Sequence, residues 1–416
     1  MQGGIPSPML FNILFDFVIR KVIDEASVAG VKFSYGGNDF FHGSREKYEN
    51  CNVLALLYAD DLVAMCETTD DLEKFIRSFE KITQKFGLTM SVKKTCIMTS
   101  QQLKEDQHGK VLTGQEVDHP SIDINIRNQK IETADSFTYL RYTITRDQRQ
   151  DTELEIRLEK TARAFNMLRY SIWHRKSVSI VSRLRIFRAC VLPVLLYGGE
   201  VWSFTTTQER RITSFYTRCL GTIIGVNLCD RMSNDKLLEI TGQPSIEDIL
   251  CRNRRRWFGN VNRAVYDDNE ASLIKKVIFS YFHDEKRPQS IGIRKRWEDK
   301  VMLDIDALQI RNWRSLTQDR DRWGKAININ VQTKAVHNNI KEIVFEYKQR
   351  AVGRRAKERA VAQEVVQRKV TELSRKDRNN QYKCAGCVKN FRPQGITNHV
   401  KACIKARAWC NKNKIG

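Results

Sequence analysis

Two adjacent carboxylates, Asp60 and Asp61, sit inside an otherwise apolar run formed by Leu56, Leu57, Tyr58, Ala59, Leu62 and Val63. The apolar residues on either side, Val53 to Leu57 and Leu62 to Met65, predict two short buried strands, with Ala59, Asp60 and Asp61 in the tight turn of a β-hairpin. Carboxylates so placed can hold Mg²⁺ or Mn²⁺. Hard divalent cations take oxygen ligands, and a pair of them bridging an attacking and a leaving oxygen performs nucleotidyl transfer. The alternative is a solvated Asp-Asp turn joining two core strands, because Asp is an ordinary turn residue.

The charge balance points to a polyanion as partner. The 416 residues hold 71 Lys and Arg against 49 Asp and Glu, a net charge of +22. The pI is near 9.6. Nucleic acid fits such an excess best. A membrane is not expected, since no segment approaches the roughly 20 apolar residues of a transmembrane helix, and the longest candidate, Cys190 to Tyr197, is far shorter. The first residues lack the basic start of a signal peptide and Asp16 interrupts their apolar run, so a nuclear or cytoplasmic location is expected. The 11 cysteines, clustered only near the end, argue for a reducing compartment and one metal site rather than a disulfide framework.

Along the chain, Ser7 is placed to cap a helix whose first position is Pro8, with Leu10, Ile13, Leu14, Phe17, Val18 and Lys21 at helical spacing under a sheet. A strand is predicted at Val31 to Tyr35, followed by a polar insertion from Gly36 to Asn50. A second amphipathic helix puts Leu72, Phe75, Ile76, Phe79, Ile82 and Phe86 on one face and ends at Gly87, a C-cap glycine. Lys104 to Ile131 is polar and legible only as short strands. From Asp151 to Ala326 the pattern is helical and rich in Arg and Trp. Between Ile340 and Leu373 apolar residues recur every three or four positions. Residues 350 to 378 hold ten Lys or Arg against four Asp or Glu, a basic helix along a nucleic-acid backbone or a solvated coil.

Cys384, Cys387, His399 and Cys403 have the spacing C-x2-C, eleven residues, H-x3-C. That brings a thiolate pair and a helical i, i+4 pair to one tetrahedral Zn²⁺. Phe391 and Ile396 fall where a small ββα finger places its core. Lys401, Lys405 and Arg407 continue the finger helix as a basic face suited to phosphates. Cys410 is left over as a free thiol. The alternative is four unligated thiol and imidazole side chains.

Several segments together carry a family resemblance. Gln2 to Asn12, Tyr58 to Asp61, and Gly87 to Thr95 stand in the order and register of reverse transcriptase palm motifs. The chain resembles the C-terminal part of a non-LTR, LINE-type retrotransposon reverse transcriptase, from Gln2 to about Ala326 and again near the C-terminus. The resemblance implies that Asp60 holds metal and Asp61 supports it. It also implies that Gln2, Gly3 and Tyr58 line the nucleotide and template site and that Lys94 lies near the nucleotide phosphates. Phe137, Tyr139 and Leu140 resemble the primer-grip strand, which in the family continues with glycine where this chain has Arg141. If that position has φ > 0, arginine costs roughly 1 kcal/mol unless the loop rearranges or the guanidinium gains a phosphate. Arg294 to Trp297 and Asp319, Arg320 and Trp323 resemble the family's C-terminal pattern.

The expected fold is α+β. It comprises a partial right-hand palm over 1–148 with fingers missing, a mostly helical thumb and extension over 149–330, a basic helical linker over 331–380, and a C2HC zinc finger over 381–410. The family's third metal-binding carboxylate comes from a strand before the Gln-Gly loop, and Met1 directly precedes that loop, so weak polymerisation is expected of the chain alone. Two functions follow. One is a fragment of an RNA-directed DNA polymerase that binds an RNA template and a DNA primer or target. The other is an inactive retrotransposon relic that only binds nucleic acid.

Overall fold

Proline has no N–H to donate, which costs nothing in the first turn of a helix, and Pro8 stands in the first turn of α1 (Ser7–Ala26). The structure, a computed structural model, describes residue 4 and residues 6–35, 49–99, 103–105, 111–116, 122–266, 270–271, 273–282, 296–328, 333–373, 379–384, 387–392, 395, 398–399 and 403. Gln2, Gly3, Arg294, Lys295, Ile396, Lys401, Lys405, Arg407 and Cys410 lie outside the described residues. The chain divides into two units, Met1–Cys219 with Gly242–Ala335, and Leu220–Thr241 with Val336–Gly416.

Two expectations for α1 are corrected. Pro6 is the N-cap and no side-chain cap forms, so Ser7 is already helical. The buried face is Phe15, Val18, Ile19, Val22 and Ala26, whereas Leu10, Ile13, Leu14 and Phe17 are exposed. Both stripes are apolar at helical spacing. The choice between them falls to α2 (Thr69–Lys85), whose Phe75, Phe79 and Ile82 share one core with the buried stripe. The second helix follows its pattern. Thr68 caps it by accepting the Asp71 N–H at 3.1 Å, and Gly87 follows it at φ +70°, a conformation that favours glycine. Phe86 lies at the edge of this core, edge-on to Phe17 at 5.9 Å.

The expected strand at Val31–Tyr35 is β1, paired antiparallel with β2 (Glu49–Val53) from Val31↔Val53 to Tyr35↔Glu49. Gly30 permits this approach, since a Cβ there would lie 2.5 Å from the Val53 carbonyl oxygen. Instead of one strand from Val53 to Leu57, the chain breaks at Leu54, whose carbonyl accepts the Met65 N–H at 2.7 Å. It then forms β3 (Ala55–Tyr58) and β4 (Asp61–Ala64), paired from Ala55↔Ala64 to Tyr58↔Asp61. These strands were expected to be buried, and they are not. Leu56, Leu57 and Tyr58 are 43%, 41% and 62% exposed. Among the described residues this sheet has two strands, and Leu62 and Ala64 alone of its side chains pack on the α1–α2 core.

Short strands continue the unit. β5 (Cys96–Ile97) pairs in parallel with β10 (Glu132–Thr133). β6 (Leu103–Glu105) pairs with β7 (Val111–Glu116), and β8 (Asn125–Ile126) with β9 (Gln129–Lys130). Ile97, Ile122, Ile124, Ile126 and Ile131 bury themselves against Ile76 of α2. β11 (Ser136–Tyr139) and β12 (Tyr142–Thr145) then form a hairpin closed by Leu140 and Arg141.

The helical region begins with α3 (Asp151–Met167), α4 (Ile180–Ile186), α5 (Leu192–Leu195) and α6 (Thr206–Ile224). After α7 (Asn234–Thr241) comes α8 (Ile246–Arg263). β13 (Val265–Tyr266) and β14 (Glu270–Ala271) pair, α9 (Leu273–Ile278) follows, and β15 (Ser280–Phe282) returns to the other edge of β1, a pairing the sequence pattern did not announce. α10 (Trp297–Asp306), α11 (Trp313–Gln318) and α12 (Arg320–Ile327) pack on α8. The tryptophans of the C-terminal pattern prove to be core. Phe258, Val301, Trp313 and Trp323 bury one cluster, the Trp297 indole donates to the Glu200 carbonyl at 2.7 Å, and Asp319 caps α12 by accepting the Asp321 and Arg322 N–H groups. Arg254 is buried against Asp304, donating to both of its carboxylate oxygens at 2.8 and 3.2 Å.

In the second unit, residues 340–373 are helical throughout as α13 (Ile340–Leu373), so the segment expected as a basic helix or a coil is helix up to Leu373, and 374–378 lie outside the described residues. Among its described side chains Ile340, Val344 and Ala351 are buried, and Arg354 donates to the Asp230 carbonyl at 3.1 Å. β16 (Tyr382–Lys383) and β17 (Asn390–Phe391) form the expected small hairpin near the C-terminus. No helix among the described residues is long and apolar enough to cross a membrane.

Candidate functional site

The β3–β4 turn is tighter than its composition suggested. It consists of Ala59 and Asp60 alone, so Asp61 is the first residue of β4 and lies opposite Tyr58. Ala59 takes φ +53°, as the first central residue of a tight hairpin turn of this hand must. Tyr58, Asp60 and Asp61 are all exposed, so both carboxylates are open to a ligand. Among the described residues no third carboxylate, His or Cys joins them. Asp16 is paired with Arg20 on the exposed side of α1 at 2.8 Å. The pair supplies only part of the oxygen set a divalent cation requires.

Of the residues expected around this turn, Lys94 ends a short 3-10 turn, Val92–Lys94, and is exposed. Phe137 and Tyr139 lie half-buried on β11, and Leu140 opens the following turn. Burial raises the pKa of the Tyr139 phenol, and the Asp61 carboxylate raises it further, since a second negative charge is disfavoured. Tyr142, across the turn from Tyr139, is pushed up to about 12, first by burial and then by Glu153. Three residues that sequence reasoning passed over, Glu153, Arg157 and Tyr197, hold this hairpin. Glu153 and Arg157 have the i, i+4 spacing of an ordinary surface pair, and the one signal pointing to them was Arg141 standing where glycine was expected.

The second centre matches its four expected ligands. The donor atoms of Cys384, Cys387, His399 and Cys403 all lie within 4.8 Å of one another, near the roughly 3.8 Å edge of a tetrahedron with zinc–sulfur bonds of about 2.3 Å. The β16–β17 turn presents the first two. Cys384 donates its N–H to the Lys389 carbonyl and accepts from Val388, both at 2.9 Å. His399 and Cys403 stand one helical turn apart, the Cys403 N–H bonding the His399 carbonyl at 2.8 Å. Phe391 stacks on the His399 ring at 3.9 Å, fixing its rotation, and His399 Nε2 is 3.1 Å from Cys387 Sγ. The Cys387 thiol is lowered to about 7, first by the Lys389 N–H and then by His399 and the other two cysteines. Three soft thiol donors, one imidazole and a thiolate-favouring field fit Zn²⁺.

Comparison with known proteins bears on the region that holds the carboxylate turn. Residues 1–144 match the family model described as reverse transcriptase (RNA-dependent DNA polymerase). The chain therefore carries a reverse transcriptase domain over these residues. It is also similar to a Caenorhabditis elegans protein described as transposon-derived, 23% identical over 293 residues that span 67% of this chain and 96% of the relative, consistent with a retrotransposon reverse transcriptase. No solved structure matches the chain.

Proposed function

We propose that the chain is part of a retrotransposon RNA-directed DNA polymerase that binds an RNA template and a DNA primer or target. In this reading residues 1–148 are palm, 149–330 thumb and extension, 331–380 a basic helical linker, and 381–410 a nucleic-acid-binding zinc finger. Asp60 holds Mg²⁺ or Mn²⁺ with support from Asp61. Gln2, Gly3, Tyr58 and Lys94 serve the nucleotide and template, and Phe137, Tyr139 and Leu140 the primer. The observation that supports the reading is the match of residues 1–144, which include both the Asp60–Asp61 turn and the segment resembling a primer grip, to the reverse transcriptase family model.

A second reading, binding without polymerisation, draws on the pair of carboxylates having no third among the described residues. One experiment separates the two. The full chain is titrated with a DNA primer annealed to RNA over a salt series and then given deoxynucleotides and Mg²⁺. Extension abolished by Asp60→Ala supports the polymerase. Binding that weakens steeply with salt, without extension, supports the second reading. Binding insensitive to salt would sink both.

A further inference from the structure

Within one stretch of α8 stand Arg252, Arg254, Arg255 and Arg256, and the carboxylates around them are already engaged. Arg254 takes both oxygens of Asp304. Asp248, one turn before Arg252, accepts from the Ser245 hydroxyl at 2.7 Å, and Glu247 accepts from the Thr213 hydroxyl. Among the described residues, Arg252 reaches the side-chain amide oxygen of Asn253, at 3.2 and 3.4 Å, and the Arg255 and Arg256 guanidiniums meet no acceptor. Arg256 is exposed, and water serves it. Arg255 is different. It is 6% exposed, and its Nε is shut off from solvent without an acceptor. Taking a lone charge out of water is costly, so buried charges are ordinarily paired.

Helical side chains lean toward the N-terminus, so Arg255 extends over the turn that carries Cys251 and Arg252. Residues three and four apart are neighbours on a helix, with Cβ atoms roughly 5–6 Å apart, which places Arg252 beside both Arg255 and Arg256. The like charges oppose one another. Arg252, half-buried, is held below the usual arginine range, first by burial and then by Arg256. Cys251 brings no negative charge to Arg255, since burial pushes its thiol up to about 12. Toward the C-terminus Trp323 closes the turn, donating its indole N–H to the Arg255 carbonyl and lying against Gly259. A solvated basic face would leave all three guanidiniums in water, and the burial of Arg255 does not fit that description.

We propose that Arg252, Arg255 and Arg256 form a site for one terminal phosphate, borne by free inorganic phosphate or by the end of a nucleic-acid strand. A carboxylate has two oxygens and one charge, enough for a single guanidinium. A phosphate monoester carries about −1.5 to −2 charge at pH 7 and three acceptor oxygens, which matches three guanidinium forks. Occupation of the site does not require polymerisation by the chain.

The test compares melting temperatures of the full chain in sodium phosphate and in sodium chloride of equal ionic strength. Phosphate excluded from protein surfaces lifts every variant alike, whereas binding at a site adds a component that saturates with the site's affinity. The wild type should show that component. Arg255→Met keeps the unbranched stem without the charge, so it should melt at least as high as the wild type in chloride and lose the saturable gain. Arg256→Gln, at an exposed position, should melt as the wild type does in chloride and need about tenfold more phosphate. A wild type without the saturable component, or the same component in both variants, overturns the site. A short single-stranded RNA with a 5′-phosphate or a 5′-hydroxyl, followed by fluorescence anisotropy, identifies the bearer. A preference of about tenfold for the phosphorylated strand, lost in Arg255→Met and in excess inorganic phosphate, assigns the site to a strand end. Equal affinity for the two strands assigns it to free phosphate.

Discussion

Alanine at Gly259 sets helix propensity against packing, and packing should win. In the interior of a helix, glycine to alanine gains about 1 kcal/mol. In α8, however, a Cβ at Gly259 would stand 2.5 Å from Trp323 Cδ1 and closer still to Nε1. Trp323 is 2% exposed, packs with Phe258, Trp313 and Ile305, and donates its indole N–H to the Arg255 carbonyl at 3.0 Å. The ring must therefore shift. Overpacking costs about 1–3 kcal/mol, and an indole N–H left buried without its acceptor costs about 1–3 kcal/mol more. Set against the propensity gain, the net loss is about 3 kcal/mol, or on the order of 3–5 °C in melting temperature for a chain of this size. Gly324 in α12 and Gly353 in α13 are internal controls, because a Cβ at either meets nothing within 4 Å. There the same substitution should stabilise by about 0.5–1 kcal/mol. Thermal unfolding of the three variants beside the wild type measures the contrast. A Gly259→Ala chain as stable as the Gly324→Ala chain would refute the reasoning.

Arg157→Met strands Glu153 in a site where both side chains are at most 4% exposed, and should cost about 3–5 kcal/mol in urea unfolding, whereas Arg157→Met with Glu153→Leu should cost much less, since no charge is then left buried. Purified chain should carry one zinc by elemental analysis; Cys387→Ser should abolish stoichiometric zinc, and Cys410→Ser should leave it. Removing zinc with a chelator should unfold the finger alone, because about 30 residues bury too little apolar surface to fold without metal. The Cys387 thiol is lowered from 9.0 to about 7, so the thiolate is favoured in the folded site; its stabilisation is complete above the unfolded value and is lost as pH falls through about 7 and below. Zinc release, followed with a chromogenic chelator, should therefore increase on acidification and not on raising the pH.

Local pattern alone made several features of this protein legible. Phe75, Phe79 and Gly87 marked α2 with its face and stop. The spacing of Cys384, Cys387, His399 and Cys403 identified one donor cluster, because a hairpin and a single helical turn bring those positions together whatever the rest of the chain does. The carboxylate hairpin was visible for the same reason. Tertiary structure decided what local pattern left degenerate. α1 carries two apolar stripes, and contact with α2 chose Phe15, Ile19 and Val22 over Leu10, Ile13 and Phe17. Glu153 and Arg157 had the spacing of a surface pair, and packing of α3 against the β11–β12 hairpin buried them instead. Leucine and arginine at 140 and 141 oppose a left-handed turn, and Tyr197, remote in sequence, helps to enforce one. Spacing reports which side chains share a face. Which face is covered, and by what, depends on partners distant along the chain, and the energies that decide it are those of burial and of polar groups finding acceptors once water is gone.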